Sequence, residues 1–156
     1  MARSDRSVAE LAALQAVDAL PLWRATDGKW QILQAGMSED PDGSITAETG
    51  APALVVHVVD SDFAVVLADS PGNLTWQCTL SPKTARAYDL PERWIGEPDD
   101  VTPRAVAWAE EAGLQPDPAA VRTALVAECD PFAEDLVFDL AMALGFRFAA
   151  GENLME

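Results

Sequence analysis

A chain of 156 residues that is 49% hydrophobic carries enough apolar side chains for one domain with its own core. It has 10 Lys and Arg against 26 Asp and Glu, a formal charge of -16, and no Lys or Arg falls between Lys29 and Lys83, where Glu39, Asp40, Asp42, Glu48, Asp60, Asp62 and Asp69 accumulate. Phosphate backbones and anionic lipid headgroups bind through Lys and Arg, so the composition argues against nucleic-acid and membrane-surface partners and favours a basic one.

The N-terminal MARSDRSVAELAAL has charges inside a short, Ala-broken apolar stretch, unlike a secretory leader. No apolar run reaches the roughly 18 residues of a membrane span. Cys78 and Cys129 are the only cysteines, so no disulfide framework is needed, and the expectation is a soluble cytoplasmic protein with reduced thiols. Ser7 and Glu10 have capping-box spacing before an Ala-rich helix with Val8, Leu11, Leu14 and Val17 on one stripe, which Pro21 ends. A short strand is predicted over residues 29 to 34. The acidic, turn-rich residues 35 to 52 read as a long flexible surface loop with a weak strand at Ser44 to Ala47.

Three runs then follow, ALVVHVV (53 to 59), FAVVLA (63 to 68) and NLTWQCTL (73 to 80), separated by connections short enough for hairpins. They predict an antiparallel meander. The first two are apolar on both faces and suit central strands, whereas the third alternates, with Leu74, Trp76, Cys78 and Leu80 inward and Thr75, Gln77 and Thr79 on a wet or partner-facing side.

After residue 80 the period becomes helical. Ser81-Pro82, Thr102-Pro103, Asp117-Pro118 and Asp130-Pro131 each place a capping side chain before proline and predict four helix starts, with Gly113 closing the second helix. On a helix capped by Asp130, Phe132, Leu136, Leu140, Ala143 and Leu144 form a core stripe bordered by Val137. Asp135 and Asp139 share a second strip flanked by Phe138, Met142 and Phe146. The predicted fold is a single α+β domain over residues 1 to 156: an N-terminal helix, a meander of three to four strands, then about four helices on one face of the sheet.

Catalytic signatures are sparse. His57, the single histidine, lies mid-strand beside Val55 and Val59 on its face and reads as structural or interfacial; Cys78 reads as a small core hydrophobe, leaving no supported Cys-His pair. The loop SEDPDGSITAET aligns Asp40, Asp42 and Gly43 with a calcium loop, but has Ser38 at position one and Thr49 at position twelve, so it reads as an acidic turn. Phosphate-loop, dinucleotide and structural-zinc spacings are missing, and no cofactor is expected. The tryptophans read as core or interface mass, with Trp94 expected near the surface. The densest candidate cluster is Glu128, Asp130, Glu134, Asp135 and Asp139.

By size, acidity and an initial helix followed by a meander, the chain is similar to small acidic secretion-type chaperones, which commonly dimerise and hold a partner polypeptide; the extra C-terminal helices depart from that pattern. Dedicated immunity proteins, whose acidic face neutralises a basic toxin, fit equally well. The expectation is a non-enzymatic acidic module that engages a protein with basic or apolar patches through Thr75, Gln77, Thr79, Asp135, Phe138, Asp139 and Met142, with a homodimer as a second candidate assembly. The alternative is a metal- or small-molecule-binding enzyme domain built on the carboxylates of 128 to 139.

Overall fold

The computed structural model describes residues 1–36 and 44–155. The chain begins with β1 (Ala2–Arg3), a 3-10 turn (Val8–Glu10) and α1 (Ala12–Gln15), and continues through a hairpin of β2 (Leu20–Asp27) and β3 (Trp30–Gly36) into α2 (Ser44–Thr49). The meander follows as β4 (Ala53–Val59), β5 (Phe63–Asp69) and β6 (Trp76–Leu80). The C-terminal part comprises α3 (Pro82–Ala87), α4 (Glu92–Ile95), α5 (Pro98–Glu111), α6 (Pro118–Val126), α7 (Ala133–Ala143) and β7 (Glu152–Asn153). All strand pairs are antiparallel, in the order β6-β5-β4-β1-β3-β2-β7.

The meander and the mixed α+β class agree with the sequence pattern, but the sheet has seven strands among the described residues rather than three to four, and the arrangement around the meander differs. The predicted N-terminal helix is broken into a 3-10 turn and a four-residue α1, and Ser7 makes no side-chain cap. Pro21 lies inside β2 rather than ending a helix. Asp27-Gly28 is the signal that was available for this hairpin, because Gly28 adopts the positive φ of +59 that a tight connection requires. Ser44–Thr49 is helical and not a weak strand. The rest of the calcium-like stretch, residues 38–43, lies outside the described residues.

The helices cover both faces of the sheet, not one. Strand alternation puts Leu54, Ala64, Val66, Ala68, Trp76, Cys78 and Leu80 on the face that packs on α5, α6 and α7. At the centre of that core the fully buried Trp108 of α5 meets Trp30 and Trp76, and its Nε1 donates to the Asp69 carbonyl at 2.8 Å. Burying about 200 Å² of indole is worth on the order of 5 kcal/mol at about 25 cal/mol/Å². The opposite face carries two smaller clusters. Ala2, Ala53 and Ile45 pack with the N-terminal turns at one end, and Phe63 packs with Ala85 of α3 and Ile95 of α4 at the other.

The helix starts follow the proline rule only in part. Asp117 caps α6, accepting from the Ala119 and Ala120 amides at 3.0 and 3.1 Å, and Pro82 opens α3. Gly113 follows α5 with φ +78, while Leu114 N donates to the Ala109 carbonyl at 2.9 Å. By contrast α5 begins at Pro98, which leaves Pro103 inside it and turns the Thr102 hydroxyl back onto the Pro98 carbonyl. α7 begins at Ala133 with Phe132 at its cap, not at Asp130.

Candidate functional site

The carboxylates of residues 128 to 139 do not converge. Glu128 reaches back to the start of α3, where it accepts from the Ser81 hydroxyl at 2.9 Å and from the Lys83 and Thr84 amides at 2.9 and 3.4 Å. It satisfies helix donors that Ser81, in a left-handed conformation with no side-chain cap, leaves open. Glu134 accepts from the Ser61 hydroxyl at 2.8 Å, while the Ala133 amide donates to the Ser61 carbonyl. Asp130, Asp135 and Asp139 are exposed. Among the described residues no three His, Cys, Asp or Glu side chains come together as a metal site.

The predicted partner-facing residues separate as well. Thr79 is buried and donates its hydroxyl to the Trp94 carbonyl at 2.8 Å, and Gln77 donates to the Arg93 carbonyl at 2.7 Å, because α4 folds over that side of β6. Thr79 therefore belongs to the interior. Thr75 precedes the strand and is exposed. Trp94 is half-buried under the same crossing.

On α7 the outer strip stays open: Asp135 and Asp139 are exposed, Phe138 is 38% exposed and Met142 is 54% exposed. Phe138 also meets the Trp23 ring of β2 edge-on, with centroids 5.6 Å apart. Two aromatic assignments exchange sides. Phe132, placed in the core stripe by periodicity, is 55% exposed because it precedes the helix, whereas Phe146 is fully buried against Trp30 and Phe148.

His57 and Cys78 lie on opposite faces of the sheet, since His57 is opposite Val65 and Cys78 is opposite Val66 on β5, so no Cys-His pair can form. Burial pushes the Cys78 thiol up to about 12, which keeps it protonated and inert.

The feature that sequence reasoning missed is a slot in the sheet. Among the described residues only Ala2 and Arg3 of β1 separate β3 from β4 as a strand, pairing with Gln31 and Trp30 on one side and with Ala53 on the other. Met1 exchanges two further bonds with Leu54: its amine donates to the Leu54 carbonyl at 2.7 Å, and its carbonyl accepts from the Leu54 amide at 2.9 Å. Burial holds that amine down to about 5.

Beyond Met1 the line of β1 continues as a cavity of about 540 Å³ between Ile32–Gly36 of β3 and Val55–Val58 of β4. Trp23, Val137 and Phe138 close it on the α7 side, and Val8, Leu14 and Ile45 on the other. Asp60, Ser61 and Glu134 stand at its far end, and no Lys or Arg side chain lines it among the described residues. Glu134 Oε2 is buried there without a hydrogen-bond donor among the described residues. The signal in the sequence was ALVVHVV itself, which is apolar on both faces although Val58 is 40% exposed.

No family model, characterised protein or solved structure matches the chain.

Proposed function

We propose that this chain is a non-enzymatic, acidic protein-binding module of the chaperone, adaptor or immunity type, engaging a protein with basic and apolar patches. The observation that supports it best is the outer strip of α7, where Phe138 and Met142 stay accessible beside Asp135 and Asp139. A solvated helix face has no need of large apolar side chains. Set among carboxylates, they match a partner surface that mixes Lys or Arg with apolar groups. The net charge of -16 favours the same class of partner through long-range steering. Self-association through this strip is the competing assembly.

The enzyme reading has weaker support, because the carboxylates of 128 to 139 that would carry it serve separate structural contacts or face solvent apart from one another. Compartment is a proposal also: among the described residues no helix is long and apolar enough to cross a membrane.

Tagged protein incubated with its native lysate at about 50 mM salt is expected to retain a stoichiometric partner that is released as screening shortens the reach of surface charge at about 0.5 M. A Phe138→Lys, Met142→Glu double variant is expected to lose it. Light scattering on the purified chain reports self-association, which the same variant is expected to abolish if the strip joins two copies. Failure to retain any partner, with a monomeric mass unchanged by the double variant, rejects the proposal.

A further inference from the structure

We propose that the slot between β3 and β4 receives an extended segment of a partner protein, running antiparallel to both strands, apolar on both of its faces and carrying Lys or Arg at its N-terminal end. The inference rests on the protein-binding reading above and gives it a second site, which borders the α7 strip at Phe138.

Backbone geometry defines the slot. Where β1 lies, β3 and β4 are two strand spacings apart, roughly 9.6 Å, so the gap beyond Met1 admits one strand. Hydrogen-bonding direction alternates along an antiparallel strand. Because Leu54 exchanges bonds with Met1, Val56 and Val58 turn their amides and carbonyls into the slot. Both Met1 groups face β4, so those of Ala2 face Gln31, and two and four residues further on Leu33 and Ala35 also present backbone groups to the slot. No strand among the described residues pairs with these positions. A sheet edge of this kind is a template for strand addition, and here two edges face each other.

The walls and the far end determine the occupant. An apolar small molecule would fill the volume but leave the backbone groups on both walls unmatched, whereas a strand satisfies them in register. Ile32, Val56 and Val137 flank one face of that strand, and Leu33, Val55 and Ile45 the other, so both of its faces must be apolar. β1 is antiparallel to both neighbours, hence a strand continuing its line has its N-terminal end near Asp60 and Glu134. The buried, donor-free Oε2 of Glu134 then meets the incoming cation. About five residues fill the length of Val55–Val59.

The probe is a fluorescein-labelled peptide with two lysines followed by Val-Ile-Val-Thr-Val and an amidated end, titrated by anisotropy against the full chain. Saturable binding is expected, at least tenfold tighter than a peptide with glutamates in place of the lysines, and at least tenfold tighter than one with alternate backbone nitrogens methylated. Val58→Lys is expected to abolish binding, and Glu134→Gln to weaken the lysine peptide at least threefold while leaving the circular dichroism unchanged. Absence of binding, equal binding of the methylated peptide, or indifference to Val58→Lys overturns the proposal. Slow hydrogen exchange at the Val56 and Val58 amides of the free protein also overturns it, since the slot would already be filled by the chain's own backbone. If the peptide fails while Met142→Glu alone, which leaves the lining of the slot unchanged, still loses a lysate partner, the slot inference falls alone; if both assays are negative, the protein-binding reading falls with it.

Discussion

Several single carboxylates in this chain accept from backbone donors that no local side chain reaches, among them Glu48, Glu111 and Glu128. Glu48 of α2 shows this most clearly. It accepts from the Ala12 and Ala13 amides at 3.0 and 3.3 Å and pairs with Arg6, so it caps α1 from another element. The Ala12 amide is the main cause that holds its carboxyl below the ordinary 4.5, followed by the Ala13 amide and the Arg6 charge. A depressed folded value means that the ionised form is favoured by folding. Its contribution is present above the unfolded value and is lost as pH falls through the folded one. Glu48→Gln is therefore expected to unfold at lower urea than the parent at pH 7, with the gap closing below about pH 4.5 as both chains carry a neutral side chain. A gap independent of pH would assign the effect to packing. The sequence shows Glu48 only as one acid among many, since its partners lie 35 and 36 residues away.

At the scale of elements, the crowded stretch from 128 to 139 divides between one such duty, one side-chain tie and a solvent-facing strip. Glu128 completes the N-terminus of α3 and Glu134 ties α7 to the β4–β5 turn at Ser61. Removing the first as Glu128→Ala is expected to lower stability by about 1–2 kcal/mol in urea unfolding, as loss of a helix cap does. Added magnesium, calcium, manganese or zinc is expected to leave the melting temperature of both proteins unchanged. A rise of several degrees with one ion, lost in the variant, would instead favour the metal-site reading. Periodicity located the buried side of α7 correctly at Leu136, Leu140, Ala143 and Leu144. It misplaced Phe132 and Phe146 because both lie outside the helix, where the 100° count no longer applies. Likewise the alternation of β6 predicted which residues face the main core. It could not predict that α4 would cover Thr79 from the other side, because Trp94 and Arg93 supply backbone carbonyls with no pattern to read.

For the molecule as a whole, charge and topology set the behaviour. Arg6, Arg24, Lys29, Arg86 and Arg122 each pair with a carboxylate, yet these pairs are largely exposed and the acids remain in excess. Exposed pairs contribute little, so self-repulsion dominates the long-range electrostatics. Raising sodium chloride from about 10 to about 200 mM shortens the screening length from roughly 30 Å to under 10 Å and is expected to raise the melting temperature by a few degrees. A fall would show that the paired arginines outweigh the repulsion. By itself the sequence determined the α+β class, the β4–β5–β6 meander, the buried stripe of α7 and the negative surface, since each depends on short-range periodicity or on composition. Tertiary structure alone decided that helices cover both faces of the sheet, that Glu128 and Glu134 serve distant donors, and that a two-residue strand leaves a slot between β3 and β4. Those outcomes depend on which segments far apart in the chain become neighbours, and no local pattern of residues carries that information.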